Sequence, residues 1–345
     1  MRLGPVLIVS AALACCAAAL VSLAWQGNQP YKAGTSPTTV VVIEPGQPAG
    51  AAAARLKESG LIRNALVFRL LMRFRRAESK IHAGEYEFSG PQTPNEILEK
   101  LMRGDVVQHK VTVPEGLRLD EIAAAVESAG FSTKADFLKA ATGERGARLI
   151  RDLDPSAQDL EGYLFPDTYL FARGTAPDRI VAEMVDRFRA EMTPARLARM
   201  KELGFTTRQT VTLASLVEEE AACDEERPRI SGVFHNRLRS RMLLQCDPTV
   251  VYALTRANRY RGDIHRSDLS YLSPYNTYVH PGLPPGPICS PGARSLDAAL
   301  NPTATTDLYF VVSGPGRHHF STNIKDHERA VRQYRRDLIS RSGRR

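Results

Sequence analysis

Aromatic residues are scarce in this chain, at 7% of 345 residues with a single tryptophan. They form no stacking run interleaved with basic side chains, the arrangement single-strand nucleic-acid binders use. Charge of one sign is not concentrated either. The 46 Lys and Arg against 38 Asp and Glu leave a net +8, which suits an acidic polymer, nucleic acid or bacterial cell wall, without selecting one. With no basic stripe and no sustained heptads, neither a nucleic-acid partner nor a coiled coil is expected. Cysteine is sparse: Cys15 and Cys16 lie in an apolar segment, and Cys223, Cys246 and Cys289 are scattered. There is no C-x-x-C pair and no histidine at zinc-ligand spacing, so the three read as unpaired small side chains. A nucleotide-binding glycine loop is missing too, since Gly282 to Gly286 is interrupted by prolines. No cofactor is expected. What remains, 43% hydrophobic and 24% charged, is ordinary globular composition and excludes wholesale disorder. The length implies two domains, or one large domain with additions.

Between Arg2 and Lys32 there is no charged residue. Leu3 to Trp25 is apolar or small throughout, enough for about 34 Å of helix. Secretory signals carry shorter apolar cores, and Trp25 and Tyr31 sit where interfacial aromatics belong. The segment therefore reads as an uncleaved membrane anchor, with a cleaved signal as its rival. Cys15 lacks the upstream Leu of a lipid-attachment site. Either reading exports the residues after about 30. Gln26 to Thr39, rich in Gly, Pro, Ser and Thr, reads as a linker.

A weak internal repeat follows. Val40 to Ile43 is a strand pattern, Glu44-Pro45-Gly46 a turn, and Ala51 to Ser59 a helix closed by Gly60. Val111 to Val113, Pro114-Glu115-Gly116 and Leu119 to Ala129, closed by Gly130, repeat the order. In both copies the closing Gly follows the turn Gly by 14 residues, as a helix C-cap would. Between the copies, Leu61 to Phe74 reads as a helix, Ala83 to Phe88 as an alternating strand, and the stretch from Thr93 to Gly104 as a helix with Pro94 in its first turn. This makes a small α+β module. From Asp159 onward, loops rich in Tyr, Asn, Pro and Gly take over, as a carbohydrate cleft would need and as ordinary turns also use.

One carboxylate stands out. On a helical projection of Thr210 to Ala222, Val211, Leu213, Ala214, Val217, Ala221 and Ala222 form the apolar arc, and Glu218 falls inside it. Glu219 points to the opposite side with Thr212, and Glu220 lies at the border. Desolvation on such a stripe would raise the pKa of Glu218, as a general acid near neutral pH requires. The plain alternative is a glutamate satisfied by a buried arginine or backbone donors. Two-carboxylate glycosidases need a second group, for which Asp247 or Glu161 could serve. A lytic transglycosylase needs only one.

Ordered motifs now accumulate: Glu161 to Tyr169 (EGYLFPDTY), Ala214 to Glu218 (ASLVE), Phe234 to Leu238 (FHNRL) and Leu244 to Val250 (LQCDPTV). Tyr275 to Tyr278 (YNTY), Gly282 to Ile288 (GLPPGPI), Ala299 to Pro302 (ALNP) and Phe320 to Asn323 (FSTN) complete them. Over about residues 38–335 the chain resembles the YceG-like endolytic murein transglycosylases (MltG). The resemblance implies an α+β protein. Residues 1–30 would be a cytoplasmic end and transmembrane helix, 31–110 a linker and small LysM-like α+β module, and 111–345 a larger mixed α/β catalytic domain with a basic tail. The anchor would sit in the cell inner membrane with the catalytic domain outside the cytoplasm. The implied activity cleaves the MurNAc–GlcNAc bond of nascent peptidoglycan strands, leaving 1,6-anhydro-MurNAc ends and terminating elongation. Peptidoglycan synthases would be partners, and no cofactor is implied. Glu218 occupies the catalytic position; Glu161, Gln245, Asp247, Tyr275, Asn276 and Tyr278 fall on cleft motifs as substrate contacts. Two departures stand out: Cys246 where the family motif has Thr, and Glu219-Glu220-Ala221 where Lys-Glu-Thr is usual. His318, His319 and His327 have no nucleophile or metal partner in the sequence and read as locally hydrogen-bonded. The rival classes are a non-catalytic glycan-binding scaffold and a muramidase that admits water.

Overall fold

The computed structural model describes residues 28–31, 38–314 and 316–342, together with residue 18. Apart from residue 18, the apolar stretch 3–25 with Cys15 and Cys16 lies outside the described residues, as does part of the linker. Among the described residues no helix is long and apolar enough to cross a membrane. Two compact units make up the chain. One comprises residues up to 109 with 170–174, the other 110–169 with 175–345.

In the smaller unit, β1 (Thr38–Ile43) pairs antiparallel with β2 (Gly84–Ser89), Val41 facing Tyr86. Alternation sends Val41, Ile43, Tyr86 and Phe88 into the core, because successive strand residues face opposite sides. Helix α1 (Ala49–Glu58) adds Ala52, Ala53 and Leu56, α2 (Ala65–Phe74) adds Phe68 and Met72, and α3 (Pro94–Arg103) adds Ile97, Leu98 and Leu101. The sequence pattern started α2 at Leu61. Leu61 and Ile62 are indeed buried, but they lie in the connection. The helix begins only after Asn64, whose side chain accepts the Leu66 N–H at 2.9 Å, an N-cap that fixes the start. Thr93 and Glu96 form a reciprocal capping box on α3.

The repeat is real at the level of helix ends. Gly60 and Gly130 both adopt positive φ, 70° and 76°, and each is followed by a residue whose N–H reaches back into the last turn. Leu61 donates to Leu56 O at 3.0 Å and Phe131 to Val126 O at 3.3 Å. A side chain at either Gly would oppose this left-handed cap.

The larger unit is built mainly of helices. These are α4 (Leu119–Ser128), α5 (Lys134–Ala141), α6 (Gly143–Ala147), α7 (Pro177–Glu191), α8 (Pro194–Leu203), α9 (Thr207–Glu220), α10 (Arg227–Arg239), α11 (Asp247–Arg256), α12 (Ala293–Leu300) and α13 (Ile324–Ser342). Among the described residues, strands occur only in two-stranded sheets: β1 with β2, β3 (Gln108–Thr112) with β4 (Thr168–Ala172), and, within the larger unit, the hairpin β5 (Tyr309–Gly314) with β6 (Arg317–Ser321). The α+β class stands, and helices rather than a mixed sheet form the body of this unit. Helix α9 is its centre, packed on α10, α11 and α12, with every residue from Thr210 to Val217 buried. Below it Tyr163 meets Phe188 edge to face at 5.3 Å. The Tyr163 hydroxyl donates to Asp154 at 2.6 Å, and Arg208 pairs with the same buried carboxylate at 2.8 Å.

Candidate active site

Helix α9 delivers Glu218 to its C-terminal end. Thr206 and Gln209 cap its start reciprocally, and its interior has no polar face: Thr212, expected opposite the apolar arc, is only 1% exposed. Neighbouring helices wrap α9 from several sides, so its projection does not separate inside from outside. The helix ends at Glu220, because Ala221 is already extended, with ψ 107°.

The Glu218 side chain is 6% exposed. Arg227, at the start of α10, donates through Nη1 to Oε1 at 2.8 Å, and the Gly292 N–H donates to Oε2 at 2.9 Å. Each carboxylate oxygen thus has one directed donor. Arg227 is fixed in turn: its Nη1 also donates to Ser295 Oγ and its Nε to Asp224 Oδ1 at 2.9 Å. Asp224 pairs further with Arg294.

A second carboxylate shares this guanidinium. Glu115 Oε2 lies 4.0 Å from Arg227 Nη2, and its pKa is raised by burial and by the Glu218 charge, against the lowering pull of Arg227 and Arg294. The loop carrying Glu115 is laced to the segment before α12. The Gly116 N–H donates to Ser290 O and the Ser290 N–H to Leu117 O, each at 2.9 Å. Ser215 Oγ, from inside α9, accepts the Ile288 N–H at 3.1 Å. Position 292 must be glycine for this geometry, since a Cβ there would collide with the Glu115 carboxyl.

The other residues singled out from the sequence fall into two further clusters. Glu161 accepts the Leu119 N–H at 2.9 Å and the Tyr252 hydroxyl at 3.1 Å; burial raises its pKa to about 7. Tyr275 packs on Tyr252 at 4.8 Å, with the Arg256 guanidinium 5.7 Å from both rings. Glu161, Tyr252 and Arg256 line a cavity of about 330 Å³. Gln245, Asp247 and Tyr278 line a different cavity of about 450 Å³ with Glu220 and Arg237. There the Tyr278 hydroxyl donates to Asp247, and burial raises Glu220 to about 7. Gln245 is held at φ 48°, an unfavourable region for a non-glycine residue, by its N–H to Thr277 O bond of 3.1 Å. Asn276 is fully buried. Its amide donates to Leu269 O and Tyr271 O at 3.1 and 2.9 Å and its Oδ1 accepts the Tyr278 N–H at 2.9 Å, so it shapes the loop that presents Tyr278.

Cys246 is buried in the Gln-x-Asp-Pro motif, and burial, then Glu220, push its thiol up. Cys223, Cys246 and Cys289 are free. His318 bonds through its ring Nδ1 to Glu226 at 2.8 Å, His327 stacks on Tyr309 at 5.1 Å, and His319 faces a separate cavity beside α13. Sequence reasoning missed Arg227, Glu115, Gly292 and Ser295. Glu115 sits in the repeat's second turn and Arg227 in the charged run after α9, but periodicity cannot bring either to Glu218.

The Glu218 carboxyl is thus shielded and gripped by an arginine and a backbone N–H at a helix end, on a helical α+β scaffold. The chain belongs to the YceG-like family, whose model matches residues 41–333. It is similar to an endolytic murein transglycosylase of Bacillus subtilis (strain 168), 32% identical over 319 residues covering 89% of this chain and 87% of that protein. A protein of the same name from Streptococcus pneumoniae (strain D39) is 29% identical over 309 residues, 81% of this chain and 55% of the relative. The chain thus spans about half of that longer protein. The crystal structure of a yceG-like protein from Listeria monocytogenes superposes with a TM-score of 0.59 at 32% identity, covering 85% of this chain and 98% of the other.

Proposed function

We propose that this chain is an endolytic peptidoglycan lytic transglycosylase with Glu218 as its acid and base. The observation that carries the reading is the immobilised Glu218 carboxyl, donor-bound on both oxygens in a chain of this family. Glu218 gives its proton to the glycosidic oxygen between MurNAc and GlcNAc, and the C1–O bond breaks. The same carboxylate then takes the proton of the MurNAc C6 hydroxyl as that oxygen closes on C1. The product carries a 1,6-anhydro end, and no water enters. Arg227 and Gly292 hold the carboxyl in one orientation through both steps, which is where positioning lowers the barrier. Glu115 faces the same guanidinium, its pKa raised by burial and then by the Glu218 charge. Gln245, Asp247 and Tyr278 supply hydrogen bonds and an aromatic face for the glycan in their cavity; Glu161 and Tyr275 flank Tyr252 in the separate cluster.

Two parts of the reading rest on sequence and family. Leu3 to Trp25 anchors the protein in the inner membrane, with both units outside the cytoplasm and a LysM-like role for the smaller one. Peptidoglycan synthases are the partners that supply the nascent strand.

A water-admitting muramidase is the second reading, favoured by one observation: Glu115 is a further carboxyl on Arg227. The product separates the two. The full-length protein incubated with un-cross-linked strands yields internal 1,6-anhydro ends by mass spectrometry, and Glu218→Gln lowers their rate about 100- to 10,000-fold. Reducing ends in place of anhydro ends would establish hydrolysis. Strands bound but uncut by both proteins would establish a scaffold.

A further inference from the structure

Helix α2 is apolar on two faces. Phe68 and Met72 enter the core of the smaller unit. On the other side Leu66, Leu70 and Phe74, spaced by one helical turn, are 60%, 60% and 86% exposed. A helix that is apolar all round is normally buried, and an exposed apolar stripe of this kind marks a docking surface.

Its surroundings say what docks. From Arg63 to Lys80 there are six basic residues, Arg63, Arg69, Arg73, Arg75, Arg76 and Lys80, against the single acid Glu78. All six are exposed, and among the described residues only Arg75 pairs with a carboxylate, Glu99 at 3.0 Å. Arg69 and Arg73 border the stripe along the helix. Leucine and phenylalanine flanked by arginine is the composition of a helix lying in the plane of an anionic bilayer surface. An acidic protein groove would match the charge but gives no reason for the position. The position comes from the chain just before the unit. Tyr31 lies under the Arg63 guanidinium, 5.3 Å from ring centroid to charge, and Asn28 Oδ1 accepts the Asn95 N–H at 3.2 Å. The residues that follow the apolar stretch Leu3 to Trp25 are therefore docked on the smaller unit, Tyr31 just before α2 and Asn28 at the start of α3.

We propose that the Leu66–Leu70–Phe74 face of α2 lies on the anionic surface of the membrane that its own N-terminal segment enters, pinning the smaller unit to the bilayer. The inference rests on the anchored reading of Leu3 to Trp25. Once that segment is in the bilayer, only a few residues separate it from Tyr31, which packs on Arg63 just before α2. The stripe then meets the interface with its arginines at headgroup level.

The single tryptophan makes the test direct. The full chain is placed in nanodiscs of anionic phospholipid whose acyl chains carry bromine, a short-range quencher. The parent protein reports on Trp25 and hence on the anchor. The full chain with Trp25→Phe and Leu70→Trp reports on the stripe. The expected result is blue-shifted, bromine-quenched emission from the tryptophan at 70. The quenching weakens when Arg69→Glu and Arg73→Glu are added, and in zwitterionic lipid. Solvent-like, unquenched emission at 70 with Trp25 quenched overturns the proposal and leaves the anchor standing. Blue-shifted but unquenched emission at 70 also overturns it, since the face is then covered by protein, a second copy or another partner. An unquenched Trp25 overturns the anchored reading itself. Unchanged circular dichroism in each variant keeps these outcomes interpretable.

Discussion

Glu218 and Glu115 share one guanidinium, that of Arg227. Glu115 is raised by burial first and by Glu218 second. Replacing Glu115 by Gln leaves the Arg227 and Gly292 bonds to Glu218 in place. Anhydro-end formation in Glu115→Gln should therefore fall less than about tenfold, against the roughly 100- to 10,000-fold loss in Glu218→Gln, with the fold intact. A loss as large as that of Glu218→Gln would make Glu115 a second catalytic carboxyl. At this scale the sequence drew attention to Glu218, a carboxylate on an apolar stretch of helix, and named the partnership the structure displays, a buried arginine and a backbone donor. It was silent on Arg227 and Glu115, whose partnership arises only when three segments distant in sequence meet.

Among the elements, the segment before α12 matters most, because its Gly292 does two things. Its N–H holds Glu218, and its missing side chain leaves room for the Glu115 carboxyl. Glu115 has a flexible stem, so Gly292→Ala should push that carboxyl aside and leave the fold within about 1 kcal/mol of the parent. Anhydro-end formation should then change as in Glu115→Gln, while the melting temperature barely changes. A large drop in melting temperature would show that the loop cannot yield. Helix existence was legible wherever caps were written in the sequence, as with Thr93 and Glu96 or Gly60 and Gly130. The start of α2 was misplaced because Leu61 and Ile62 are buried without being helical. The face of α9 was misjudged because a central helix has no outer side.

Taken whole, the larger unit holds two carboxyls far above their usual range. Glu161 and Glu220 go from 4.5 to about 7 in the folded state, chiefly through burial. Between those values the folded chain retains protons that the unfolded chain has released, so their contribution to stability falls as pH rises through this window. Asp154, lowered from 3.8, acts elsewhere: its contribution is lost only as pH falls through its depressed folded pKa. His235 and His327, lowered from 6.5 by burial, oppose the trend and are unchanged by the comparison. A Glu161→Gln, Glu220→Gln double variant should therefore gain melting temperature relative to the parent at pH 8 and not at pH 4.5. Equal differences at both values would mean that neither carboxyl is held protonated. The α+β class and the ordered motifs could be read from the sequence. The three clusters into which those motifs sort could not, because loop motifs carry no periodicity from which to place them.

Cys289 lies fully buried in the floor of the site, its thiol donating to Ser215 O at 3.5 Å and pushed up by burial and then by Glu219. In this state it is inert toward alkylating reagents. To become reactive it must be uncovered by separation of α9 from the 288–292 segment, which also takes the Gly292 N–H away from Glu218. The thiol is in effect a clock beneath the carboxyl. The rate at which it is capped counts how often the acid loses its backbone clamp, an opening that turnover alone would never reveal.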